Sequence, residues 1–314
     1  MRILITDDVH PDLITGFENW GWTVDYCPNI NYEECKSVIY KYDGLVINSK
    51  INCNKEFIDL AKNMRFIARL GSGMEIVDIP YAETKGIKVI SSPEGNCDAV
   101  AEHVMGMILC LLNNILRADN EVRQKTWNRE GNRGTELRHK TVGIIGYGHT
   151  GQALVKKLRG FECRILVHDK YKQGFDNPQN NVYEVSLRDI QDTSDIISFH
   201  LPLTAETKGY ADKLFWEKCK KSPIAINTSR GQILRIEDAI HALEKGLISG
   251  LGMDVFENEK PSTYTDHEKK LYERLFSESN TIFTPHIAGW TRESKISLSR
   301  IILQKLNEWR LETE

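Results

Sequence analysis

The stretch VGIIGYGHTG, Val142 to Gly151, decides how the rest of this chain is read. A β-branched run leads into Gly146-Tyr147-Gly148-His149-Thr150-Gly151, a GxGxxG spacing, and the helical pattern TGQALVKKLRG follows at once. A second β-branched run, CRILVHD, then ends in Asp169, about 18 residues past Gly151 and close to the spacing a dinucleotide fingerprint requires. The chemistry explains the residue types. Gly146 allows the tight turn, Gly148 lets the backbone approach a pyrophosphate, and Gly151 lets the helix pack closely on its strand. N–H groups around His149 and Thr150 face the phosphates at the positive end of a helix dipole. A carboxylate at Asp169 accepts ribose hydroxyls and repels a 2′-phosphate, which favours NAD(H) over NADP, although Lys170 beside it works in the opposite direction.

Nearly half the chain precedes this turn, whereas in a simple dinucleotide-binding protein it follows the first strand. Something else must therefore fold first, and 314 residues suffice for about two domains. Short β-branched runs alternate with amphipathic stretches almost throughout, the mark of an α/β fold with parallel sheets. Before the turn the strand candidates are RILITD, GLVINS, RFIARLG and IKVISS, with a helix at NKEFIDLAKNM (54–64). One long helix is expected from Asp98 to about Arg123, with Val100, Val104, Met107, Ile108, Leu111, Leu112 and Ile115 forming its apolar stripe. Such a stripe suits either a core or a second subunit. Asn128 to Lys140 is polar and reads as a loop. Beyond the turn, DIISFHL, IAINTS, ISGLGMDV and TIFTPH are further strands, and SLSRIILQKLNEW is a late helix.

Composition narrows the function classes. With 27% charged residues, a net charge of −3 and Lys and Arg dispersed, no basic groove for nucleic acid is expected. The longest apolar run, MGMILCLL at 105–112, is too short to span a bilayer, and MRILITDD reads as a strand rather than a signal peptide. Seven cysteines with no CxxC spacing and no metal-like pattern fit a reducing, cytoplasmic setting.

In an open parallel sheet, ligands bind beyond the carboxyl ends of the strands. Polar residues gather at those ends: Asp169 after CRILVH, His200 after DIISF, Thr228-Ser229-Arg230-Gly231 after IAIN, Asp254 after ISGLGM and His286 in TIFTPH. Alone, each is a turn or cap residue; five at one edge describe a cleft. Arg230, Glu259 and His286 form a plausible chemical set there. A guanidinium grips a carboxylate or carbonyl, an imidazole exchanges a proton near neutrality, and a carboxylate orients it.

With these residues in view, the chain resembles the D-isomer-specific 2-hydroxyacid dehydrogenases, in particular their phosphoglycerate dehydrogenase-like branch. The resemblance runs through RLGSGMEIVDI (69–79), SPEGNCDAVAEHVMGMIL (92–109) and GTELRHKTVGIIGYGHTGQALVKKLRGF (134–161). It continues through HLPLTAETKGY (200–210), INTSRGQILRIEDAIHALEKGLISGLGMDVFENE (226–259) and TPHIAGWT (284–291). It implies an α/β fold of two Rossmann-like domains, each a doubly wound parallel sheet. A substrate domain is split into residues 1–97 and 291–314, and an NAD-binding domain (98–290) is inserted within it. The helix near 98–123 would form a homodimer interface.

The same resemblance implies catalytic Arg230, Glu259 and His286, with His286 as acid/base. Implied cofactor contacts are Gly146, Gly148, His149, Thr150, Gly151, Asp169, His200, Thr207, Thr228, Ser229, Arg230, Asp254, His286 and Gly289. Arg69, Ser72, Gly73 and Arg230 would hold a small 2-hydroxy or 2-oxo acid, with no nucleic-acid or membrane partner. Departures bear on the substrate. Arg69 matches an arginine used near a substrate phosphate, but its usual arginine companion is Asn48 here, with Lys50 two residues on. GMEIVD also stands where a Gly-Val-Asp-Asn-type turn is common. The sequence ends without the C-terminal regulatory domain found in many serine-pathway enzymes, so regulation by serine is not expected. Substrate candidates are 3-phosphoglycerate, hydroxypyruvate and glyoxylate. An NAD-sensing co-repressor on the same fold is the alternative from another class, while Glu259 argues against a formate-type enzyme, which carries Gln there.

Overall fold

The structure, a computed structural model, describes residues 1–313 and separates into two compact units: Met1–Cys97 with Trp290–Glu314, and Asp98–Gly289. In the first, β1 (Arg2–Ile5), β2 (Thr23–Tyr26), β3 (Gly44–Ile47), β4 (Phe66–Arg69) and β5 (Lys88–Ser91) form one sheet in the order β2-β1-β3-β4-β5. All its pairs are parallel, as the alternating pattern predicts. Helices α1 (Pro11–Asn19), α2 (Tyr32–Val38), α3 (Lys55–Leu60) and α4 (Ile79–Thr84) lie between the strands in sequence. Ile3 and Ile5 enter one core cluster and Leu4 the other, so both faces of the sheet are covered. That is why these strands read as continuous apolar runs instead of alternating ones.

The second unit opens with α5 (Cys97–Leu112) and α6 (Ile115–Arg123). Its strands are β6 (Thr141–Ile145), β7 (Arg164–His168), β8 (Val182–Glu184), β9 (Ile196–Phe199), β10 (Ile224–Asn227), β11 (Gly250–Met253) and β12 (Thr281–Phe283). They form a parallel sheet in the order β12-β11-β10-β9-β6-β7-β8, accompanied by α7 (His149–Leu158), α8 (Leu187–Thr193), α9 (Lys213–Glu217), α10 (Ile236–Glu244) and α11 (Asp266–Ser277). The chain turns back on itself between β6 and β9. This is a topological switch point, where the loops after two adjacent strands diverge and leave a crevice.

After β12 the chain returns to the first unit as α12 (Arg292–Thr313). Ile302 and Leu306 are fully buried there beside Ile3, Phe17 and Phe66. Complete burial of a side chain of this size contributes about 1.5–3 kcal/mol, which explains why the late helix belongs with the first sheet.

Four sequence expectations need correction. The helix expected over 98–123 is two helices bent by 62°, because Asn114 takes a left-handed backbone at φ 53. Ile115 consequently leaves the stripe and is 47% exposed, while Val100, Val104, Met107, Ile108 and Leu111 stay buried. The helix at 54–64 stops at Leu60, and the final helix is longer than SLSRIILQKLNEW. Strands β2 and β8 carry little apolar signal; both are sheet edges, where one side needs no partner and the sequence (TVDY, VYE) can stay polar. All seven cysteines are free. No single helix among the described residues is long and apolar enough to cross a membrane.

Candidate active site

The turn after β6 is shaped by missing side chains. Gly146 sits at φ +100, and a Cβ there would lie 2.3 Å from the His200 carbonyl oxygen; one on Gly151 would lie 2.1 Å from the Gly146 carbonyl oxygen. Only glycine fits both places. Gly148 precedes α7 with no side-chain cap, and nothing lies within 4 Å of where its Cβ would be. No side chain caps the start of this helix and the space beside Gly148 is open, the arrangement that accepts a phosphate.

Asp169 follows β7. Its carboxylate accepts the N–H groups of Tyr147 (2.7 Å), Tyr171 (2.9 Å) and Lys172 (2.9 Å). Burial pushes its pKa up, but these bonds and the Lys172 charge outweigh that and bring it below the ordinary value. A carboxylate has about four acceptor sites, so one remains for a ribose hydroxyl. Lys170 pairs with Glu206 at 2.8 Å. After β9, His200 shares a 2.9 Å hydrogen bond with Ser198, and desolvation pushes its pKa down to about 4, so it is neutral at pH 7. The Thr207 hydroxyl donates to the Pro202 carbonyl within its own loop.

The loop after β10 is built on the fully buried Asn227, whose side chain takes the Ser229 N–H (3.1 Å) and donates to the Arg230 carbonyl (2.9 Å). The Ser229 hydroxyl donates to Phe199 O (2.6 Å) and accepts from Leu201 N–H (3.2 Å), tying this loop to the one after β9. Ser229 thus acts here as a strut. Thr228 Oγ1 is buried and has no hydrogen-bond partner among the described residues. An orphaned hydroxyl at the exit of β10, whose missing bond costs about 1–3 kcal/mol, suits a ligand group there. With the open glycine turn, it makes the residues present a good fit for a dinucleotide.

The third part follows β11 and β12. His286 Nδ1 lies 2.8 Å from Glu259 Oε2, with both side chains partly exposed. Burial raises the Glu259 pKa. The His286 hydrogen bond and charge, the Phe256 N–H (3.2 Å) and the Arg230 charge outweigh it and bring the carboxyl below its ordinary range. Glu259 is therefore ionised at neutral pH and accepts from His286 Nδ1. With Nδ1 engaged, proton exchange with an outside group falls to Nε2. Backbone packing relates this loop to the previous one, since a Cβ on Gly231 would lie 2.0 Å from the Phe256 carbonyl carbon.

His286 itself has φ 57, a left-handed conformation that costs a non-glycine residue about 1–3 kcal/mol. Its N–H bonds to the Asp254 carbonyl at 2.7 Å. The Asp254 carboxylate, 1% exposed, accepts Ile287 N–H (2.8 Å) and Thr284 Oγ1–H (2.6 Å) on Oδ1 and Ala288 N–H (2.8 Å) on Oδ2. Sequence reasoning missed the supports Asn227, Thr284 and His103 of α5, whose Nε2 lies 3.0 Å from Thr284 Oγ1. His103 lies 181 residues away in sequence, and only the repeated positions of polar residues in apolar surroundings hint at such partners. Gly289, the last residue of this unit, follows Ala288.

Arg69, Ser72 and Gly73 belong to the first unit, at and just after the end of β4. Arg69 Nε donates to Asn48 O at 3.2 Å, so the residue in the place of the companion arginine contributes a backbone acceptor. Lys50 donates to the Pro28 carbonyl. The turn is held by Ser92, whose hydroxyl accepts Gly71 N–H at 3.2 Å.

The chain is similar to known proteins along nearly its whole length. The family described as D-isomer specific 2-hydroxyacid dehydrogenase, NAD binding domain, matches residues 105–288. A D-3-phosphoglycerate dehydrogenase of Archaeoglobus fulgidus is 31% identical over 306 residues, 98% of this chain and 56% of that protein. A hydroxypyruvate reductase of Thermotoga maritima is 32% identical over 278 residues, 88% of each. The apo structure of D-lactate dehydrogenase from Escherichia coli superposes with a TM-score of 0.80 at 29% identity, over 99% of this chain and 98% of that one. The chain spans a little over half the length of the phosphoglycerate dehydrogenases it matches and most of the length of the reductase. Glycine turn, following acid and His–Glu pair, together with these matches along nearly the whole sequence, lead to one conclusion: this chain belongs to the D-isomer specific 2-hydroxyacid dehydrogenase family.

Proposed function

We propose that this protein transfers a hydride between NAD(H) and a small D-2-hydroxy acid or its 2-oxo acid. The observation that supports this most is the 2.8 Å His286–Glu259 pair, at the same sheet edge as the glycine turn. When bound, NADH supplies the hydride that reduces C2. The chain's own groups do the rest. Backbone N–H groups around His149 and Thr150 hold the pyrophosphate, Gly146, Gly148 and Gly151 leave room for the turn, the ligand and the helix, and Asp169 takes a ribose hydroxyl, which disfavours NADP. Thr228 Oγ1 gains the partner it lacks. Protonated His286 gives its Nε2 proton to the substrate oxygen, and Glu259 stabilises the imidazolium before that transfer. Arg230 grips the carboxylate and carbonyl in the fork geometry that lysine cannot supply. The Ser72 and Gly73 amides and Arg69 are assigned to the substrate's acid groups. In oxidation the same groups work in reverse.

With only Arg69 of the arginine pair present, a non-phosphorylated acid such as hydroxypyruvate or glyoxylate is favoured over 3-phosphoglycerate. A panel of 2-oxo acids with and without a phosphate, followed by NADH consumption, tests this. Turnover of hydroxypyruvate or glyoxylate is expected; reduction of 3-phosphohydroxypyruvate alone overturns the substrate assignment, and no turnover of any member overturns the activity. A homodimer is also proposed, because Ile115, Leu116, Val122 and Trp127 are large, apolar and exposed on and just beyond α6. Light scattering that gives a monomer mass at micromolar concentration would remove it.

A further inference from the structure

The geometry points to His103 and Thr284 as positioning residues for His286, acting through the buried carboxylate of Asp254. This rests on the role proposed for His286 and adds to it a support from α5, a helix remote in sequence from the site.

Hydrogen-bond directions can be assigned from chemistry. Asp254 Oδ1 already accepts the Ile287 N–H, and across 2.6 Å the Thr284 hydroxyl donates to the same oxygen. The single hydroxyl proton is then committed, and His103 Nε2, 3.0 Å from the same oxygen, must be the donor. The order is His103 Nε2–H to Thr284 Oγ1–H to Asp254 Oδ1. His103 Nε2 itself is 3.8 Å from Oδ1, too far for a direct hydrogen bond, so Thr284 is the link. At its other end the carboxylate takes the N–H groups of Ile287 and Ala288, the two residues directly after His286.

Those bonds matter because of the backbone between them. His286 is held at φ 57 by its own N–H on the Asp254 carbonyl and by its neighbours' N–H groups on the Asp254 carboxylate. Rotation of the carboxylate would release both amides and let His286 relax out of its left-handed conformation, carrying the imidazole away from Glu259. Among the described residues, the Thr284 hydroxyl, oriented by His103, is the only side-chain donor on that carboxylate within hydrogen-bond distance. It sets the rotation. A reacting group displaced by about 1 Å can lose a hundredfold in rate, so this placement affects turnover before it affects binding.

Thr284→Val keeps the side-chain shape and removes the hydroxyl. It is expected to lower kcat by about tenfold to a hundredfold, leaving the NADH Kd and the substrate KM within about threefold of wild type. Thr284→Ser restores the hydroxyl and should recover most of kcat. His103→Leu, one bond farther from His286, should show a smaller loss in the same direction, and the Thr284→Val/His103→Leu double variant should be no worse than Thr284→Val. Independently of activity, amide exchange at Ile287 and Ala288 should accelerate in Thr284→Val by about tenfold or more, with Gly250–Met253 unchanged. The proposal is overturned if kcat in Thr284→Val stays within twofold of wild type, or if those two amides keep their protection. It is equally overturned if exchange rises throughout the unit and NADH binding falls in step with kcat, since that is loss of stability and not of position. If the wild type reduces no 2-oxo acid, the proposed function fails, and exchange at Ile287 and Ala288 still decides whether Thr284 holds the loop.

Discussion

Two loops leave the same edge of the seven-stranded sheet and are built in opposite ways. The turn after β6 is made by what is absent: no Cβ at Gly146 or Gly151, and no side-chain cap on α7. Its three glycines lie within six consecutive residues, and the Asp169 carboxylate and the His168 carbonyl hold its backbone from the next strand. The loop after β12 is held by side chains brought from elsewhere, with His103, Asp254 and Glu259 all supporting His286. The first loop would present backbone dipoles to a ligand and has no room for a Cβ at Gly146 or Gly151. The second presents one imidazole and tolerates no lost donor. A phosphate can be bound by N–H groups that any sequence carries, so geometry is enough. Proton transfer needs a titratable group in one orientation, so it needs neighbours.

That contrast can be broken first at the second loop. His286→Gln should reduce kcat by about a thousandfold, because it removes the proton donor, while NADH binding measured by fluorescence changes by less than about threefold. Equal loss of both would mean that His286 serves mainly to hold the cofactor. The opposite response is expected from the first loop. Gly146→Ala places a methyl 2.3 Å from the His200 carbonyl at a φ that L residues avoid. NADH affinity should fall by about tenfold or more, with stability lower by about 1–3 kcal/mol in urea unfolding. Unchanged affinity would show that the turn is not the phosphate site.

Asp169→Ala sharpens the picture further along the same edge. NADH should bind about tenfold more weakly, and NADPH, which the carboxylate repels, no more weakly than before. Parallel changes in the two cofactors would remove Asp169 from ribose recognition. The smallest effect belongs to Glu259. Its pKa is depressed in the folded protein, so its stabilising contribution is fully present above the ordinary carboxylate value and is lost as pH falls through the lowered one. With the side chain 40% exposed, solvent screening keeps this below about 1 kcal/mol. The stability difference between wild type and Glu259→Gln should therefore vanish in acid; a difference that grows as pH drops would contradict the sign.

How legible each part was in the sequence follows from the same contrast. GxGxxG with Asp169 could be recognised because a turn, a strand and a helix N-terminus are local, and their steric demands fall on residues at constant spacing. Arg230, Asp254 and His286 were visible as polar residues closing apolar strands, since a parallel sheet places every strand's exit on one edge. Strands β2 and β8 were invisible because an edge strand needs no apolar face. The break at Asn113-Asn114 was hidden inside an unbroken apolar period, because a left-handed asparagine leaves no mark on hydrophobic spacing.

By itself, then, the sequence determined the α/β class, the position of the dinucleotide turn and the residue types that could do acid–base chemistry, since each depends on short-range periodicity or spacing. Only the tertiary structure decided which of those residues touch. It paired His286 with Glu259, directed the Asp254 carboxylate onto the following two amides, and brought His103 to Thr284 across 181 residues. A hydrogen bond requires a particular distance and direction, and between residues so far apart along the chain these are set by how helices pack on the sheet.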